Sequence, residues 1–306
     1  MTAGSRSPAR LHDGEVDIDT GLVRRLLAAQ FPQYASMPVR RVDSTGTVNA
    51  IYRLGTGLSV RLPLLARFAA DLEKEQRWLT QLAPHLSLRV PEPIALGVPS
   101  ADYPLRWAIH RWLDGEPYAD GLIADERLAA TDLARFVLEL RQVPPLPGAP
   151  RGGRRPLRKL DAETRATIQA AGDLIDADAA LAVWDLALTA PAWTGTPVWI
   201  HADLLRPNLL VADGRLHAVI DFGAAGVGDP AADVIAAWSV FGPAGRAAYR
   251  DALSVDDGMW LRALGVALHQ AAGIIPYYEH TNPRFAADAQ RTISQILADA
   301  RGAADR

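Results

Sequence analysis

The stretch of sequence that decides the fold is HADLLRPNLLVADGRLHAVIDFG, which covers residues 201–223. It contains two runs typical of strands, 209–211 and 216–222, on either side of the dipeptide Asp213-Gly214. Asp-Gly favours a tight two-residue turn, because both central positions of that turn require a positive φ. The stretch therefore predicts a β-hairpin that returns the chain on itself.

The predicted hairpin places three polar side chains close together. Asn208 precedes the first strand and Asp221 lies at the end of the second, so their oxygens are expected side by side, and hard oxygen ligands suit Mg²⁺. Asp203, just upstream on the loop, is expected to face the same site. Transfer of a γ-phosphoryl group requires metal ions on the phosphates and a carboxylate that orients the attacking hydroxyl. We therefore predict that Asp203 is the catalytic base and that Asn208 and Asp221 bind the metal.

Two motifs in this stretch carry a resemblance to a known family. Either H-x-D-x-x-x-x-N or Asp-Phe-Gly alone is a weak signal, but the two in order, joined by a hairpin, favour a kinase-type site. The chain resembles the aminoglycoside phosphotransferase family, which shares the protein-kinase-like fold. That family commonly has Gly where this chain has Ala202, and the motif histidine, here His201, is mainly structural in the family. The tract GDPAAD at 228–233 also matches, and the resemblance extends from about Val39 to the last helix.

The resemblance implies an α+β, bilobal protein-kinase-like fold with a small antiparallel-sheet N-lobe and a mainly helical C-lobe. It predicts a nucleotide-covering lobe over residues 1–110, a hinge over 111–116 and a catalytic and substrate-binding lobe over 117–306. The cleft between the lobes is expected to hold Mg²⁺ and ATP or GTP, with the nucleotide as the phosphoryl donor.

Composition restricts the class of protein. The chain has 306 residues and a formal net charge of −3, which argues against nucleic acid as a partner and offers no basic patch for a membrane. It has no cysteine, so disulfides, thiolate metal sites and thiol catalysis are excluded. No apolar run in the sequence has the length and character of a signal peptide or a membrane span, and we expect a cytoplasmic enzyme.

The first turn of the predicted N-terminal sheet is a candidate phosphate-covering loop. Turn residues and strand-forming runs predict three strands between residues 39 and 62. In the turn between the first two strands, the resemblance implies that the phosphates are approached by the backbone N–H groups of Thr45, Gly46 and Thr47. The turn has a single glycine instead of G-x-G-x-x-G, so its sequence alone does not distinguish it from an ordinary hairpin turn.

The third strand is expected to carry the cation that binds the α- and β-phosphates. Relatives usually have Lys there, but the lysines of this chain, Lys74 and Lys159, lie elsewhere. Arg61 is therefore predicted to clamp the phosphates, since a guanidinium binds phosphate well. The resemblance implies that Glu75, on a helix predicted over 67–82, pairs with this residue. The alternatives are a solvent-facing Arg61 and a Glu75 on a solvated helix face, and Lys74 is expected to face solvent.

The predicted hinge is where kinase-like enzymes bind the purine through backbone N–H and C=O groups. Arg111, Trp112 and Leu113 are therefore predicted nucleotide contacts. Side chains at a hinge do not distinguish adenine from guanine, so ATP and GTP both remain open. Trp112 has an alternative interpretation as a core residue between the lobes, which is the commoner position of a Trp.

Apolar periodicity predicts the helices of the C-lobe at 124–141, 160–188, 230–240, 244–253, 259–275 and 283–300. Asp229 is expected to begin one of them as a cap, and Asp233 to accept backbone hydrogen bonds from the catalytic segment. The segment 144–156 is rich in Pro, Gly and Arg. It is predicted to be a surface loop, which either covers the substrate entrance or is simply exposed.

The acceptor substrate is predicted from the resemblance. Tyr277, Tyr278 and Glu279 are predicted to contact it, although core packing accounts equally well for the two tyrosines. The family favours an antibiotic as acceptor, which is an aminoglycoside, a macrolide or a tuberactinomycin, and the enzyme would then confer resistance. A polycationic aminoglycoside needs a cluster of carboxylates. The C-terminal region has no dense acidic run, and an aromatic, less acidic cleft suits a macrolide better.

Two other functions remain open at this point. The first is a small-metabolite kinase that acts on a fructosamine, choline or homoserine type of acceptor, because likeness of fold does not determine substrate. The second is a nucleotide-binding pseudokinase that acts as a scaffold, which the absent strand lysine and the single-glycine loop favour slightly. The intact set of Asp203, Asn208 and Asp221 argues against the scaffold.

Overall fold

A computed structural model describes residues 12, 14–43 and 46–304 of the chain. Thr45, one of the predicted phosphate-loop residues, lies outside the described residues. The N-terminal part is an antiparallel β-sheet with two helices, and the C-terminal part is mainly helical, as predicted. The predicted bounds of the lobes and the hinge stay a prediction.

The N-terminal sheet has five antiparallel strands in the order β1-β2-β3-β5-β4. Their bounds are β1 Val39–Arg41, β2 Asn49–Leu54, β3 Leu58–Pro63, β4 Pro93–Gly97 and β5 Trp107–Arg111. Helix α1 (Thr20–Gln30) packs on one face of this sheet, capped by Asp19, whose Oδ1 accepts from Leu22 N at 2.7 Å. The apolar side chains between this helix and the sheet form one buried cluster.

Helix α2 (Ala66–Leu82) is associated with the opposite face of the sheet. Val60 and Leu62 on β3 point into the cluster beneath α1, so the alternation of a strand directs Arg61 to the other face. The far end of α2 contributes Trp78 and Leu82 to the large core of the C-terminal part. This helix therefore joins the sheet to the rest of the molecule, and its position sets the geometry between them.

The C-terminal part is built from eight helices in the described residues. They are α3 Glu126–Gln142, α4 Asp161–Ala170, α5 Ala177–Leu188, α6 Ala231–Val234, α7 Ala236–Ser239, α8 Pro243–Ala252, α9 Asp257–Tyr278 and α10 Pro283–Ala304. Their common core contains the fully buried aromatic side chains of Phe136, Trp184, Trp199, Trp238 and Phe241. Burial of each such side chain contributes about 1.5–3 kcal/mol. No helix in the described part of the chain is both long and apolar enough to span a membrane.

Short strands in this part hold the predicted hairpin. They are β6 Glu116–Pro117, β7 Val198–Ile200, β8 Leu209–Ala212, β9 Arg215–Val219 and β10 Gly226–Gly228. β8 and β9 form the hairpin, with φ of 51° at Asp213 and 75° at Gly214, so the predicted turn is confirmed. β6 pairs with β8, and β7 pairs with β10. These three additional strands were not predicted, because two or three residues are too few to show an alternating pattern.

Three predicted elements differ from the structure. The single helix predicted over 160–188 is wrong, because the chain breaks between α4 and α5, where Gly172 has a φ of 53°. The helix predicted over 230–240 is instead the two short helices α6 and α7. The strand predicted to reach Phe222 ends at Val219, since Asp221 has a left-handed backbone with φ 64° and ψ 71°.

Candidate active site

Asp233 accepts two backbone hydrogen bonds from the loop between β7 and β8. One carboxylate oxygen of Asp233 accepts from His201 N at 3.0 Å and the other accepts from Ala202 N at 2.7 Å. Ala202 has a φ of 66°, a backbone conformation that Gly adopts more easily. Asp233 is fully buried, and burial raises its pKa. The predicted supporting role of Asp233 toward this backbone is confirmed.

The side chain of His201 connects this loop to the residue that follows β9. Its Nε2 lies 3.1 Å from the carbonyl oxygen of Ile220, and its Nδ1 accepts from Asp203 N at 3.3 Å. Because a carbonyl only accepts, Nε2 is the ring nitrogen that donates. The ring also packs edge-on against Phe222, with centroids 4.6 Å apart. His201 therefore orients the backbone on both sides of the site.

Two amide groups hold the carboxylate of Asp203. Oδ2 accepts from Asn208 Nδ2 at 2.8 Å, and Oδ1 accepts from Gln270 Nε2 at 2.6 Å. The pKa of Asp203 is raised, first by burial and then by the negative charge of Asp221. Gln270 was not predicted as a site residue, because it lies on α9 and belongs to no motif of the sequence.

The side chain of Asn208 is turned in the direction that a metal ligand requires. Its Nδ2 also donates to the backbone oxygen of Asp203 at 2.9 Å, so its Oδ1 is left as the acceptor of this amide. The backbone oxygen of Asn208 accepts from Ile220 N at 2.9 Å, which brings the ends of the hairpin together. Asp221 follows directly, and its charge raises the pKa values of Asp203 and Glu75.

The predicted residues Asp203, Asn208 and Asp221 thus meet at one place. Among the described residues, no group of three His, Cys, Asp or Glu side chains is arranged to hold a metal ion. Mg²⁺ is commonly bound by one or two carboxylates together with substrate phosphates and water. An amide oxygen and a carboxylate at the hairpin ends fit that mode of binding.

Glu75 connects the sheet to the segment after Asp221. Its Oε2 lies 2.5 Å from Arg61 Nη1, and its Oε1 accepts from Phe222 N at 2.9 Å. The residue is only 2% exposed, so the alternative of a solvated helix face is wrong. Burial raises the pKa of Glu75 to about 7, against the opposing effect of Arg61.

His110 is a further neighbour of Arg61 that the sequence did not indicate. Its Nδ1 lies 3.5 Å from Arg61 Nη1, and the ring is 1% exposed. Burial, and then the charge of Arg61, lower its pKa to about 3. Lys74 was expected to face solvent, but its side chain is 23% exposed and lies 3.7 Å from Asp71.

Arg111 and Trp112 of the predicted hinge are held by residues that flank strands of the N-terminal sheet. Arg111 Nε donates to Glu92 at 2.6 Å, and Trp112 N donates to Gly57 O at 2.8 Å. Trp112 is half-buried beneath the guanidinium of Arg53, 4.1 Å from the ring centroid, so it is not a core residue between the lobes. Leu113 is buried in a small cluster with side chains of β8 and β9.

The predicted acceptor contacts lie at the end of α9, close to the predicted phosphate-covering loop. Tyr277 Oη lies 2.7 Å from His12 Nδ1, while His12 Nε2 donates to Thr47 O at 2.7 Å. Tyr278 packs edge-on against Phe285, with centroids 5.4 Å apart. Tyr277 is 52% exposed, so core packing does not account for it. Glu279 follows as the C-cap of α9, and Gly46 precedes Thr47 in the loop.

A small cavity of about 20 Å³, with room for about one water molecule, lies beside the predicted catalytic loop, between α9 and α10. Its lining is mostly apolar and comprises Leu205, Arg206, Pro207, Ile235, Ser239, Ala267, Gln270, Ala271, Ile274, Phe285, Asp288, Ala289 and Thr292. Gln270 therefore contacts both the cavity and Asp203. This arrangement connects the space beside the loop with the carboxylate at the centre of the site.

The segment predicted as a surface loop over 144–156 is attached to β10. Val227 N donates to Pro150 O at 2.7 Å, and Gly152 N donates to Val227 O at 3.0 Å. A Cβ atom on Gly152 would lie 2.9 Å from the backbone of Gly226, so the contact requires glycine. The segment carries Arg154, whose positive charge lowers the pKa of Asp203. It is therefore part of the surroundings of the site.

The fold and the family match described next identify the protein as a phosphotransferase. Residues 40–270 match the model of the phosphotransferase enzyme family, so the chain belongs to this family. No curated protein matches the chain closely enough to count as a relative.

Several solved structures have the same fold. The GDP and kanamycin complex of an aminoglycoside phosphotransferase of the APH(2'') type is 19% identical, with a TM-score of 0.71 over 90% of this chain and 98% of that one. A streptomycin–ATP complex of APH(2'')-IIa is 17% identical, with a TM-score of 0.57 over 85% and 88%. The macrolide 2'-phosphotransferase MphH from Brachybacterium faecium is 21% identical, with a TM-score of 0.59 over 90% and 98%. These similarities confirm the predicted fold class.

Proposed function

We propose that this protein transfers the γ-phosphoryl group of ATP or GTP to a hydroxyl of a small-molecule antibiotic and so confers resistance in the cytoplasm. The observation that carries the proposal is the meeting of Asp203, Asn208 and Asp221 at the ends of one hairpin. A scaffold without activity has no need of a carboxylate fixed by two amides. The family and the fold support the same class of chemistry.

In this proposal Asp203 accepts the proton of the attacking hydroxyl. Each of its oxygens already accepts one hydrogen bond from an amide, and a carboxylate oxygen has room for another. The raised pKa of Asp203 makes it a stronger base than an exposed aspartate. The fixed carboxylate orients the hydroxyl toward the phosphoryl group.

Asn208 and Asp221 would hold Mg²⁺ through the amide oxygen and the carboxylate. The bound ion would neutralise the charge that develops on the phosphate oxygens. The orientation of the Asn208 amide supports this role, because its nitrogen is already occupied by Asp203.

The other nucleotide contacts follow the same proposal. Arg61, held by Glu75, would bind the α- and β-phosphates, and Thr45, Gly46 and Thr47 would cover them. The backbone of Arg111, Trp112 and Leu113 would bind the purine. Trp112 N already donates a hydrogen bond to Gly57 O. No backbone oxygen among the described residues accepts from Leu113 N, so this N–H would be the donor to the purine.

The charge pattern of the sequence bears on the acceptor. A polycationic aminoglycoside gains affinity from several carboxylates. The C-terminal region has no dense acidic run, which supports a macrolide as the acceptor. Tyr277, Tyr278 and Glu279 would contact it.

A coupled assay of nucleotide turnover tests the proposal. Purified protein is mixed with Mg²⁺, ATP or GTP, and kanamycin, gentamicin, streptomycin, a tuberactinomycin, erythromycin, choline or homoserine in turn. We expect turnover that depends on erythromycin, and a loss of about 10²–10⁴-fold in Asp203→Ala. Asp251→Ala, which removes an exposed carboxylate of α8, is the matched control. Nucleotide binding without turnover on any acceptor contradicts the proposal and favours the scaffold, whereas turnover only with choline or homoserine favours the metabolite kinase.

A further inference from the structure

His12 is a buried side chain whose two ring nitrogens both have partners from other parts of the chain. The residue is only 7% exposed, although it lies before helix α1. Its Nε2 lies 2.7 Å from Thr47 O, and its Nδ1 lies 2.7 Å from Tyr277 Oη. Because a carbonyl only accepts, Nε2 carries the hydrogen, and in the neutral ring Nδ1 accepts from the Tyr277 hydroxyl. A single imidazole therefore bridges the turn before β2 and the end of α9.

Aromatic packing and a second hydrogen bond strengthen this bridge. The centroid of the His12 ring lies 5.5 Å from that of Phe68 on α2, and 5.7 and 6.1 Å from those of Tyr277 and Tyr278. Burial raises the pKa of Tyr278, and a hydrogen bond with the side chain of Thr47 opposes that effect. Thr47 is thus attached to the end of α9 through two side chains, those of His12 and Tyr278.

Helix α9 connects the far end of the bridge to the predicted base. Gln270, whose Nε2 donates to Asp203 Oδ1 at 2.6 Å, precedes Tyr277 by seven residues on α9. Seven residues make about two helical turns, so the two side chains lie on the same side of the helix, about 10 Å apart along its axis. Tyr277 is 52% exposed, so its ring has a surface that a ligand can contact. The bridge therefore joins Thr47, a predicted nucleotide contact, to a predicted acceptor contact on the Asp203 side of α9.

We propose that His12 is a positioning residue for both substrates: it holds Thr47 against the end of α9, so that the predicted phosphate-covering turn and Tyr277 are already in place before nucleotide and acceptor bind. This inference rests on the proposed function, because it concerns the two substrates of the same reaction. Groups that are ordered in the free protein lose less conformational freedom when a ligand binds. The intact bridge should therefore raise the affinity for nucleotide, although His12 lies outside every motif of the catalytic segment.

The first test measures order and affinity and needs no acceptor. Hydrogen exchange of the backbone amides of residues 46–50 is followed by mass spectrometry in the protein without ligands. Calorimetry measures the Kd for ATP and for GTP with Mg²⁺. We expect His12→Phe, which keeps a ring but loses both hydrogen bonds, to speed the exchange and to raise the Kd about 3- to 10-fold, the effect of one or two lost hydrogen bonds.

A rescue variant and a control separate the bridge from a general effect on the fold. His12→Gln places a side-chain N–H near the position of Nε2, so we expect it to restore much of the affinity through the bond to Thr47 O. His85→Phe replaces an exposed histidine of the short helix Ala83–His85 and leaves both measurements unchanged. A His12→Phe variant that exchanges and binds like this control overturns the proposal, and so does a His12→Gln variant no better than His12→Phe.

Tyr277→Phe tests the other end of the bridge and removes only the hydroxyl of an exposed tyrosine. We expect a smaller rise in the Kd for nucleotide, and no further rise when it is combined with His12→Phe, because both substitutions break the same hydrogen bond. Effects that multiply contradict the bridge. A wild type that binds no nucleotide contradicts the proposed function, and hydrogen exchange then still tests the bridge. A wild type that binds nucleotide and a His12→Phe variant equal to it contradict this inference alone.

Discussion

The carboxylate of Glu75 lies 2.5 Å from Nη1 of Arg61, with the other carboxylate oxygen bonded to Phe222 N. One buried side chain thus holds both the predicted phosphate clamp and the backbone next to Asp221. Because burial raises the pKa of Glu75 to about 7, the full ion pair forms only as the pH rises through that value. The charge state of Glu75 therefore links the two sides of the predicted nucleotide site.

Glu75 gives a prediction for stability against pH. Its pKa is about 7 in the folded state and 4.5 in the reference state. Between these values the folded state binds the extra proton, so the stability contributed by neutral Glu75 is present below pH 4.5 and is lost as the pH rises through about 7. Relative to Glu75→Gln, the free energy of unfolding of the wild type is expected to fall by about 3 kcal/mol over this range. Urea titrations at several pH values measure the difference, and parallel curves for the two proteins contradict it.

Arg61→Ala is expected to raise KM for nucleotide about tenfold or more, because the phosphates lose a charged donor. Arg61→Lys is expected to keep more activity than Arg61→Ala, since an ammonium retains the charge but not the planar fork. Steady-state kinetics at saturating acceptor measure both effects. Arg40→Ala removes an exposed arginine of β1 and serves as control. Unchanged KM in Arg61→Ala places the phosphate clamp elsewhere.

Asp221→Ala is expected to abolish the gain in nucleotide affinity that Mg²⁺ provides. Calorimetric titration of nucleotide, with and without Mg²⁺, measures this loss. The same variant is expected to lower the pKa of Asp203, because the charge of Asp221 raises it in the wild type. Asp251→Ala is the control for loss of a carboxylate. Retention of the Mg²⁺ effect in Asp221→Ala means that the ion is held by other groups.

Much of the site was predictable because its parts are close in sequence. Asn208 and Asp221 flank one hairpin and Asp203 lies on the loop just before it, and the Asp-Gly turn of the hairpin has a local signature. Gln270 and His110 join the site from distant elements, and a polar residue within an apolar helix or strand has no spacing that reveals its partner. Arg154 was missed because its loop is fixed by a contact between glycines that belongs to tertiary packing. The break at Gly172 within the helix predicted over 160–188 was also missed, because the apolar periodicity of the sequence continues past this glycine.

Gly152→Ala tests the loop that carries Arg154. The added Cβ would lie 2.9 Å from the backbone of Gly226, so the two segments must separate. We expect a loss of about 1–3 kcal/mol in the free energy of unfolding and a higher pKa for Asp203, because Arg154 moves away. Gly57→Ala, which meets no atom within 4 Å, is the control. Thermal unfolding measures the change in stability, and carboxyl NMR measures the pKa of Asp203. If Gly152→Ala equals Gly57→Ala in both measurements, the loop accommodates the added Cβ without strain.

Glu75 also determines how the enzyme can be inhibited. Helix α2 carries this residue between the sheet and the C-terminal core, and both of its hydrogen bonds depend on the position of the helix. A compound that wedged α2 away from the sheet would release Arg61 and Phe222 N together, without occupying the space of either substrate. Because Arg61 is the predicted phosphate clamp, such a compound would weaken nucleotide binding and nucleotide would oppose the compound. A high concentration of acceptor, in contrast, would not displace it.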